Sequence, residues 1–328
     1  MMHPLRLTVQ VVTWNSAETL PLLLRSLRNQ SFAQFHLVIL DNASQDGSAD
    51  IARRGFPGAT VIRNSENRGF CAAHNQGIRI AETDYIALLN PDVLLMQDAL
   101  GLLVEHLSRT PSIGSIGGKL IRQEHGITSI DSAGLLARPT RQFLNRGEGE
   151  QDRGQLNDVQ KVFGLTGAFV MFRRSALESI RIGSEYLDED LFAYKDDVDC
   201  AWRLLLAGWE NVYFPRAVGV HSRHARHETE YSTRTRRKRK HPTINRLSYR
   251  NHLLMLLKNE EVRNFFFPLP RLLFYEVLKL GYLMLFEQRT LLGLVEALRL
   301  FPVMLRKRRI TLAHRKRSSR SMRAFFQT

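Results

Sequence analysis

Within the first 110 residues, four short apolar runs alternate with four stretches of helical periodicity, and few folds accommodate that alternation. The runs Leu7 to Thr13, His36 to Leu40, Thr60 to Arg63 and Tyr85 to Leu89 are short and rich in β-branched residues, so they read as strands. Between the first two, Leu20, Leu23, Leu24 and Leu27 share one face of a helix that Ser16 can cap and that runs to about Asn29. Ser48 to Arg54, Phe70 to Ala81 and Gln97 to Arg109 are the other helices. Strand–helix–strand succession implies right-handed crossovers, hence an α/β fold built on a mostly parallel, Rossmann-like sheet with helices on both faces. Such sheets bind ligands beyond the C-terminal ends of their strands, where Thr13, Asp41 and Asp92 fall. Asn90-Pro91-Asp92 ends the fourth strand because proline has no N–H to give the ladder, which leaves Asp92 to meet a cation or a phosphate. Alone, Asn-Pro-Asp is an ordinary turn. Asp41-Asn42-Ala43-Ser44 closing the second strand in the same way, and the later acidic run Asp196-Asp197-Val198-Asp199, favour a site.

The formal charge of +15 suggests a nucleic-acid binder until its distribution is read. Residues 1–233 carry 24 Lys and Arg against 27 Asp and Glu, a net of −3, whereas residues 234–328 carry 23 against 5, a net of +18. A near-neutral body with a basic end follows, and nucleic acid is not expected as a partner. Two cysteines, Cys71 and Cys200, exclude a disulfide framework or a Cys-rich zinc site and favour a reducing compartment. The N-terminus runs straight into a strand without the pattern of a secretory leader. The longest apolar stretch, Leu272 to Phe286, is broken by Glu276 and Lys279 and does not reach the run needed to span a bilayer.

After Ser112 the pattern changes. Ile113 to Ile121 is Gly-rich, residues 122–157 read as irregular or short antiparallel strands, Ala168 to Phe172 as a strand, and Val198 to Ala207 as a helix ended by Gly208. Asn211 to Phe214 and Ala217 to Val220 read as closing strands. Three helical segments follow the basic run that begins at Arg234: Thr243 to Lys258, Arg271 to Phe286 and Thr290 to Arg306. The natural cut is near residue 233, giving a body of two halves, about 1–120 and 121–233, and a basic helical segment, 234–328. Gly114 to Leu120 lacks the glycine and hydroxyl positions of a phosphate loop. His221, His224 and His227 recur every third residue, but no cysteine accompanies them, so a zinc cluster is disfavoured; His221, which ends a strand, is the member placed to reach the edge of Asp92.

Taken in order, these blocks resemble the family 2 glycosyltransferases of the GT-A fold. Val11-Val12-Thr13-Trp14-Asn15, Asp41 to Gly47, Asn67-Arg68-Gly69-Phe70 with Asn75 and Gly77, and Asn90-Pro91-Asp92 carry the first part of the resemblance. Thr166 to Phe169, Leu191 to Asp199, Trp202-Arg203-Leu204 with Gly208-Trp209, and His221 continue it. The likeness covers about residues 7–258 and is closest to the rhamnosyltransferase-like branch that builds bacterial surface polysaccharides.

The resemblance implies an inverting, metal-dependent transfer of sugar from a nucleotide-sugar donor to a glycan or lipid-linked acceptor. Asp92 matches a metal-ligating carboxylate for Mg²⁺ or Mn²⁺, and His221 a position that completes the metal or diphosphate contact in some relatives. Asn90 stands where many members carry an aspartate, so the ion is expected to bind weakly without nucleotide. Asp41 resembles the residue that reads the pyrimidine or ribose, as a carboxylate can by accepting from N3–H; Thr13, Asn15 and Arg68 would line the same pocket. Asp197 matches the general base, with Asp196, in place of the usual glutamate, raising its basicity by like-charge repulsion. Read without the resemblance, Asp196, Asp197 and Asp199 are an acidic first turn facing a helix dipole. dTDP-rhamnose is the first expectation for the donor and a UDP-hexose the second. A sugar nucleotidyltransferase would use similar groups, but the Gly-rich loop that usually opens one is missing from Leu7 to Leu20.

In the basic end, Glu276 and Lys279 form a narrow polar stripe on an otherwise apolar helix, and Glu296 with Arg299 does the same on the next. Such faces need cover. An anionic membrane surface, with Arg306 to Arg309 and Arg315 to Arg317 against lipid, is the expected partner, which places the protein in the cytoplasm on the inner face of the membrane. Packing in a homodimer is the alternative. A chain ended after about residue 258 is expected to keep a folded, donor-binding body.

Overall fold

The computed structural model describes residues 6–222, 241–266 and 268–326. His224, His227 and the run Arg234 to Lys240 lie outside the described residues. Strands β1 (Leu7–Thr13), β2 (Phe35–Asp41), β3 (Thr60–Arg63) and β4 (Tyr85–Leu89) pair in parallel in the order β4-β1-β2-β3, as the alternation requires. The intervening helices are α1 (Leu20–Arg28), α2 (Ser48–Gly55) and α3 (Gly69–Ile80), with α4 (Ala99–Arg109) after a short β5 (Val93–Leu95). Leu20, Leu23, Leu24 and Leu27 are all buried, which is what their spacing predicts. Ser16 does not cap α1. Its carbonyl accepts from Leu20 N at 2.9 Å while its N–H donates to Ser48 Oγ, so the turn holding residues 16–19 delays the helix to Leu20.

Beyond α4 the sheet becomes mixed. β6 (Ile113–Glu124) is one long strand that runs through the Gly-rich stretch. β11 (Phe169–Arg173) wedges antiparallel between β4 and β6, joining the two halves of the sheet. The two expected closing strands are one, β12 (Glu210–His221), parallel to β6 with a register shift between Tyr213 and Val218. β7 (Ile127–Ser132) pairs with β6, β10 (Gln160–Val162) and β5 pair with β12, and β8 (Leu135–Ala137) with β9 (Phe143–Asn145) forms a separate ribbon. The ladder order is β10-β12-β6-β11-β4-β1-β2-β3. The short helix α5 (Arg174–Ser179) follows β11, and α6 (Asp196–Leu206) carries the acidic run in its first turn.

Helices α7 (Pro242–Asn259), α8 (Val262–Phe266), α9 (Leu269–Phe286), α10 (Leu292–Ala313) and α11 (Ser319–Arg323) complete the described chain. They do not stand apart from the body. Leu254 of α7 and Met304 of α10 are buried in the cluster that contains Ile86, Val170 and Leu204, and Met255, Met322 and Phe326 pack with Trp202 of α6. Charges are buried there as well. Lys258 ion-pairs with Asp188 and, at 2.8 Å, with Asp199; Lys307 reaches Asp188 at 2.6 Å and Glu185 and Asp190 at 2.7 Å. Among the described residues no helix is long and apolar enough to cross a membrane.

Candidate active site

The ends of β1, β2 and β4 and the start of α6 converge on one edge of the sheet. Thr13 and Asp41 end adjacent parallel strands in register, and Thr13 Oγ1 donates to Asp41 Oδ1 at 3.2 Å. Asp41 is fully buried; its Oδ2 has no hydrogen-bond partner, and the exposed Arg63 Nε is 3.6 Å away. Asn15 takes a left-handed conformation, φ 51°, that points its Oδ1 at Gln45 N (2.9 Å) and so ties the β1 end to the loop after β2. Arg68 is exposed, with its main-chain N–H on Asn42 Oδ1 at 3.4 Å.

Asn42 is the hub of this corner, which the sequence motif contained without revealing its role. Its Nδ2 donates to Asn67 Oδ1 (3.1 Å) and Gly69 O (3.0 Å), and its Oδ1 accepts from Asn64 Nδ2 (2.9 Å). Gly69, φ +82°, then docks on the loop before α6: a Cβ there would sit 2.7 Å from Phe192 O. Cys71 N donates to the same carbonyl at 3.1 Å. No side chain larger than hydrogen fits this junction between the two halves.

On the other side, Asp92 and His221 come together. Val93 and His221 are opposite each other in the β5–β12 ladder, so the residue before Val93 meets the imidazole, and His221 Nε2 is 3.3 Å from Asp92 Oδ1. His221 Nδ1 lies 2.8 Å from Asp131 Oδ2. Burial favours the neutral ring, but the two carboxylates outweigh it and hold the His221 pKa above its ordinary value. Asn90 donates its N–H to Ala168 O at 3.0 Å, fixing the turn across to β11.

A cleft of about 540 Å³ is lined by Asn90, Thr166, Gly167, Tyr194, Asp196, Asp197 and His221, with Ser248 of α7 at its wall. That is the size range of small-molecule sites. Asp197 Oδ1 accepts from Val198 N at 2.8 Å. Burial raises the Asp197 pKa against the opposing Lys195. Burial and the neighbouring Asp197 charge push Asp196 up to about 7. Tyr194 and Lys195, both left-handed (φ 71° and 67°), deliver the two acids to this position. The loop is held by Asn251 of α7, whose Nδ2 is 2.8 Å from each of Leu191 O, Ala193 O and Tyr194 O.

Among the described residues no group of three or more His, Cys, Asp or Glu side chains is gathered to hold a metal ion. Asp92 and His221 are a hard carboxylate and an imidazole converging on one edge, a donor pair that fits a divalent cation taking its remaining oxygens from a ligand and water. Of the expected site residues, then, Thr13 and Asp41 share one corner with Asn15 and Arg68, and Asn90, Asp92, His221, Asp196 and Asp197 surround or adjoin the cleft. Asp131, Asn42 and Asn251 were missed, since each acts through partners distant in sequence.

An open α/β sheet with acids at its strand ends and a pocket lined from both halves is the arrangement in which such folds hold a ligand. The family model for glycosyl transferase family 2 matches residues 8–181, and the chain belongs to that family. It is 26% identical over 219 residues to the poly-β-1,6-N-acetyl-D-glucosamine synthase of Staphylococcus aureus (strain COL), covering 65% of this chain and 48% of that protein. The chain thus spans about half the length of the curated relatives it matches. Among solved structures, the mannosyltransferase PcManGT of Pyrobaculum calidifontis, in complex with GDP-Man and Mn²⁺, superposes with a TM-score of 0.53 at 19% identity, over 95% of this chain and 86% of that one. S. aureus TarS 1-349 in complex with UDP gives 0.56 at 15%, over 94% and 88%. These likenesses show the fold.

Proposed function

We propose that the chain is an inverting glycosyltransferase that takes a sugar from a nucleotide-sugar donor, with dTDP-rhamnose the first choice and a UDP-hexose the second, and passes it to a glycan or lipid-linked acceptor in surface polysaccharide synthesis. The observation that carries this reading is the single cleft lined by Asn90, His221 and Asp197, with Asp92 beside His221. Asp41 reads the base: a buried carboxylate oxygen without a hydrogen-bond donor suits N3–H of uracil or thymine. Thr13, Asn15 and Arg68 line the nucleoside and phosphate side. Asp92 and His221 would hold Mg²⁺ or Mn²⁺, which offsets the charge of the departing diphosphate. Asp197 takes the proton of the acceptor hydroxyl as its oxygen attacks the anomeric carbon, and the bond to the diphosphate oxygen breaks with its electron pair leaving on the nucleotide. Asp196, close to neutral pKa, keeps Asp197 basic through repulsion once both are ionised.

We further propose a membrane-bound acceptor. Phe266, Phe274, Val277, Leu285 and Leu298 on α8–α10 are exposed, Leu285 by 74%. Exposed large apolar side chains that recur along consecutive helices suit an apolar environment. Arg271, Arg289, Arg299, Arg306 and Arg309 lie in the same segment, which suits anionic lipid on the cytoplasmic face.

Incubation of the chain with a panel of NDP-sugars, with Mn²⁺ or EDTA, tests the transferase reading by sugar release and thermal shift. One donor is expected to be turned over and to stabilise only with metal, and Asp92→Ala is expected to remove the metal's added stabilisation. Equal stabilisation in that variant makes Asp92 a turn residue only. Flotation with anionic liposomes, reversed in part by salt, tests the membrane face; a protein that stays in solution with every lipid and sediments as a dimer assigns the face to a second copy.

A further inference from the structure

We propose that Asp131 is a positioning residue that fixes the His221 imidazole so that Nε2 faces the cation–diphosphate edge beside Asp92; this rests on the role proposed for Asp92 and His221 above. The backbone is the first support. In the β6–β7 ladder Leu120 pairs with Ser132 and Ile121 with Ile130, which leaves Asp131 as the extra residue of a β-bulge. A bulge breaks the alternation of faces and re-aims one side chain, and bulges recur beside active sites for that reason. Here the re-aimed group reaches past β6 to β12, which pairs with the other edge of β6, Val220 opposite Ile121.

The carboxylate's two oxygens are divided between two tasks. Oδ1 takes the buried Arg122, at 2.6 Å from Nε and 2.5 Å from Nη2. Oδ2 is 2.8 Å from His221 Nδ1. A carboxylate that only neutralised Arg122 would face the guanidinium with both oxygens in a fork. With Nδ1–H donated to Asp131, the proton is held on that nitrogen, and Nε2, 3.3 Å from Asp92 Oδ1, is the nitrogen that exchanges its proton for a cation beside that carboxylate. The pair Arg122–Asp131 thus stands behind His221 as a fixed, buried support, and neither member lines the catalytic cleft.

The test is calorimetric titration of the full chain with UDP, dTDP and GDP, each with Mn²⁺ and with EDTA, for the wild type, Asp131→Asn, His221→Asn and the double variant, each melted in EDTA to confirm folding. Asp131→Asn is expected to weaken nucleotide binding with Mn²⁺ by about 10- to 100-fold, with affinity in EDTA unchanged. The double variant is expected to bind no more weakly than His221→Asn alone. Unchanged affinity with Mn²⁺, or losses that add in the double variant, overturns the proposal. A wild type that binds equally well in Mn²⁺ and EDTA overturns the metal reading itself, a result visible without any Asp131 variant. Nitrogen-15 spectra of the wild-type histidines at alkaline pH give a readout independent of whether Asp131→Asn folds: the Nδ1–H tautomer of His221 supports the proposal, and the Nε2–H tautomer overturns it.

Discussion

At the ends of β1 and β2 the chain is tied by neutral amides: Asn42 bonds Asn67, Gly69 and Asn64, and Asn64 exchanges two hydrogen bonds with Gln76. Around the start of α6 it is tied by charge, with Asp188 between Lys258 and Lys307 and Asp199 between Lys258 and Arg203. The amides that tie the first corner carry no titratable proton, so those ties do not change with pH. The second buries two acids, Asp188 and Asp199, against three bases, Lys258, Lys307 and Arg203, and the two lysines hold Asp188 well below the ordinary carboxylate range despite its burial. The difference teaches where the site is robust and where it depends on distant chain: the amide ties of the β1–β2 corner lie within residues 13–76, whereas the α6 corner draws its partners from residues 250–307.

The largest effect is expected from ending the chain after Lys258. That cut removes Lys307, Met304, Met322 and Phe326 from the core and strands Asp188 with one partner, so, against the sequence expectation that such a chain keeps a folded body, the cooperative melting transition is expected to disappear; a truncated protein that melts like the full chain would restore that expectation and erase the contrast between the corners. Asp197→Asn comes next: transfer is expected to fall by about 10²-fold or more while titration with nucleotide and Mn²⁺ stays near wild type. Near-normal turnover would remove the base from this corner. A matched pair sharpens the comparison further. Lys258→Met breaks buried ion pairs and is expected to cost about 3 kcal/mol, whereas Asn42→Ala, which leaves neutral groups unpaired, is expected to cost about 2 kcal/mol; chemical denaturation at low and high pH should show a pH-dependent penalty for the first alone.

The smallest effect has the opposite sign. Asp196 titrates near 7 in the folded chain and near 4 when unfolded, so the folded state holds the proton more tightly. Its contribution to stability is complete below about pH 4 and is lost as pH rises through about 7. Asp196→Asn is therefore expected to raise the melting temperature at pH 8 and leave it unchanged at pH 4, while turnover of the wild type rises through neutrality as the Asp196–Asp197 pair ionises. A variant less stable at pH 8 would show that the acid is held there by a favourable contact.

Much of the nucleotide half was legible in the sequence. β1 to β4 and the buried face of α1 follow from hydrophobic period alone, and Thr13, Asp41 and Asp92 could be placed at strand ends because a parallel sheet puts its loops there. Even there the local rule failed at Ser16, where a main-chain turn took the place of a side-chain cap. The C-terminal helices were legible as helices, and so was their mostly apolar surface with its narrow polar stripe, but not their docking against α6.

What the sequence determined by itself was every feature with a short period: strand, helix, the acidic turn at Asp196–Asp199, the basic end. Only the tertiary structure decided the partners. Asp131 meets His221 across 90 residues, Lys258 meets Asp188 across 70, and Lys307 meets Asp188 across 119. The physical reason is that a charge is tolerated in a core only where its counter-charge arrives from another element, and which element arrives is set by ladder register and helix packing rather than by the residues beside it in the chain. The bulge that turns Asp131 toward His221 shows this in one residue: its neighbours fix it as a strand, and the pairing with β6 alone decides which way it points.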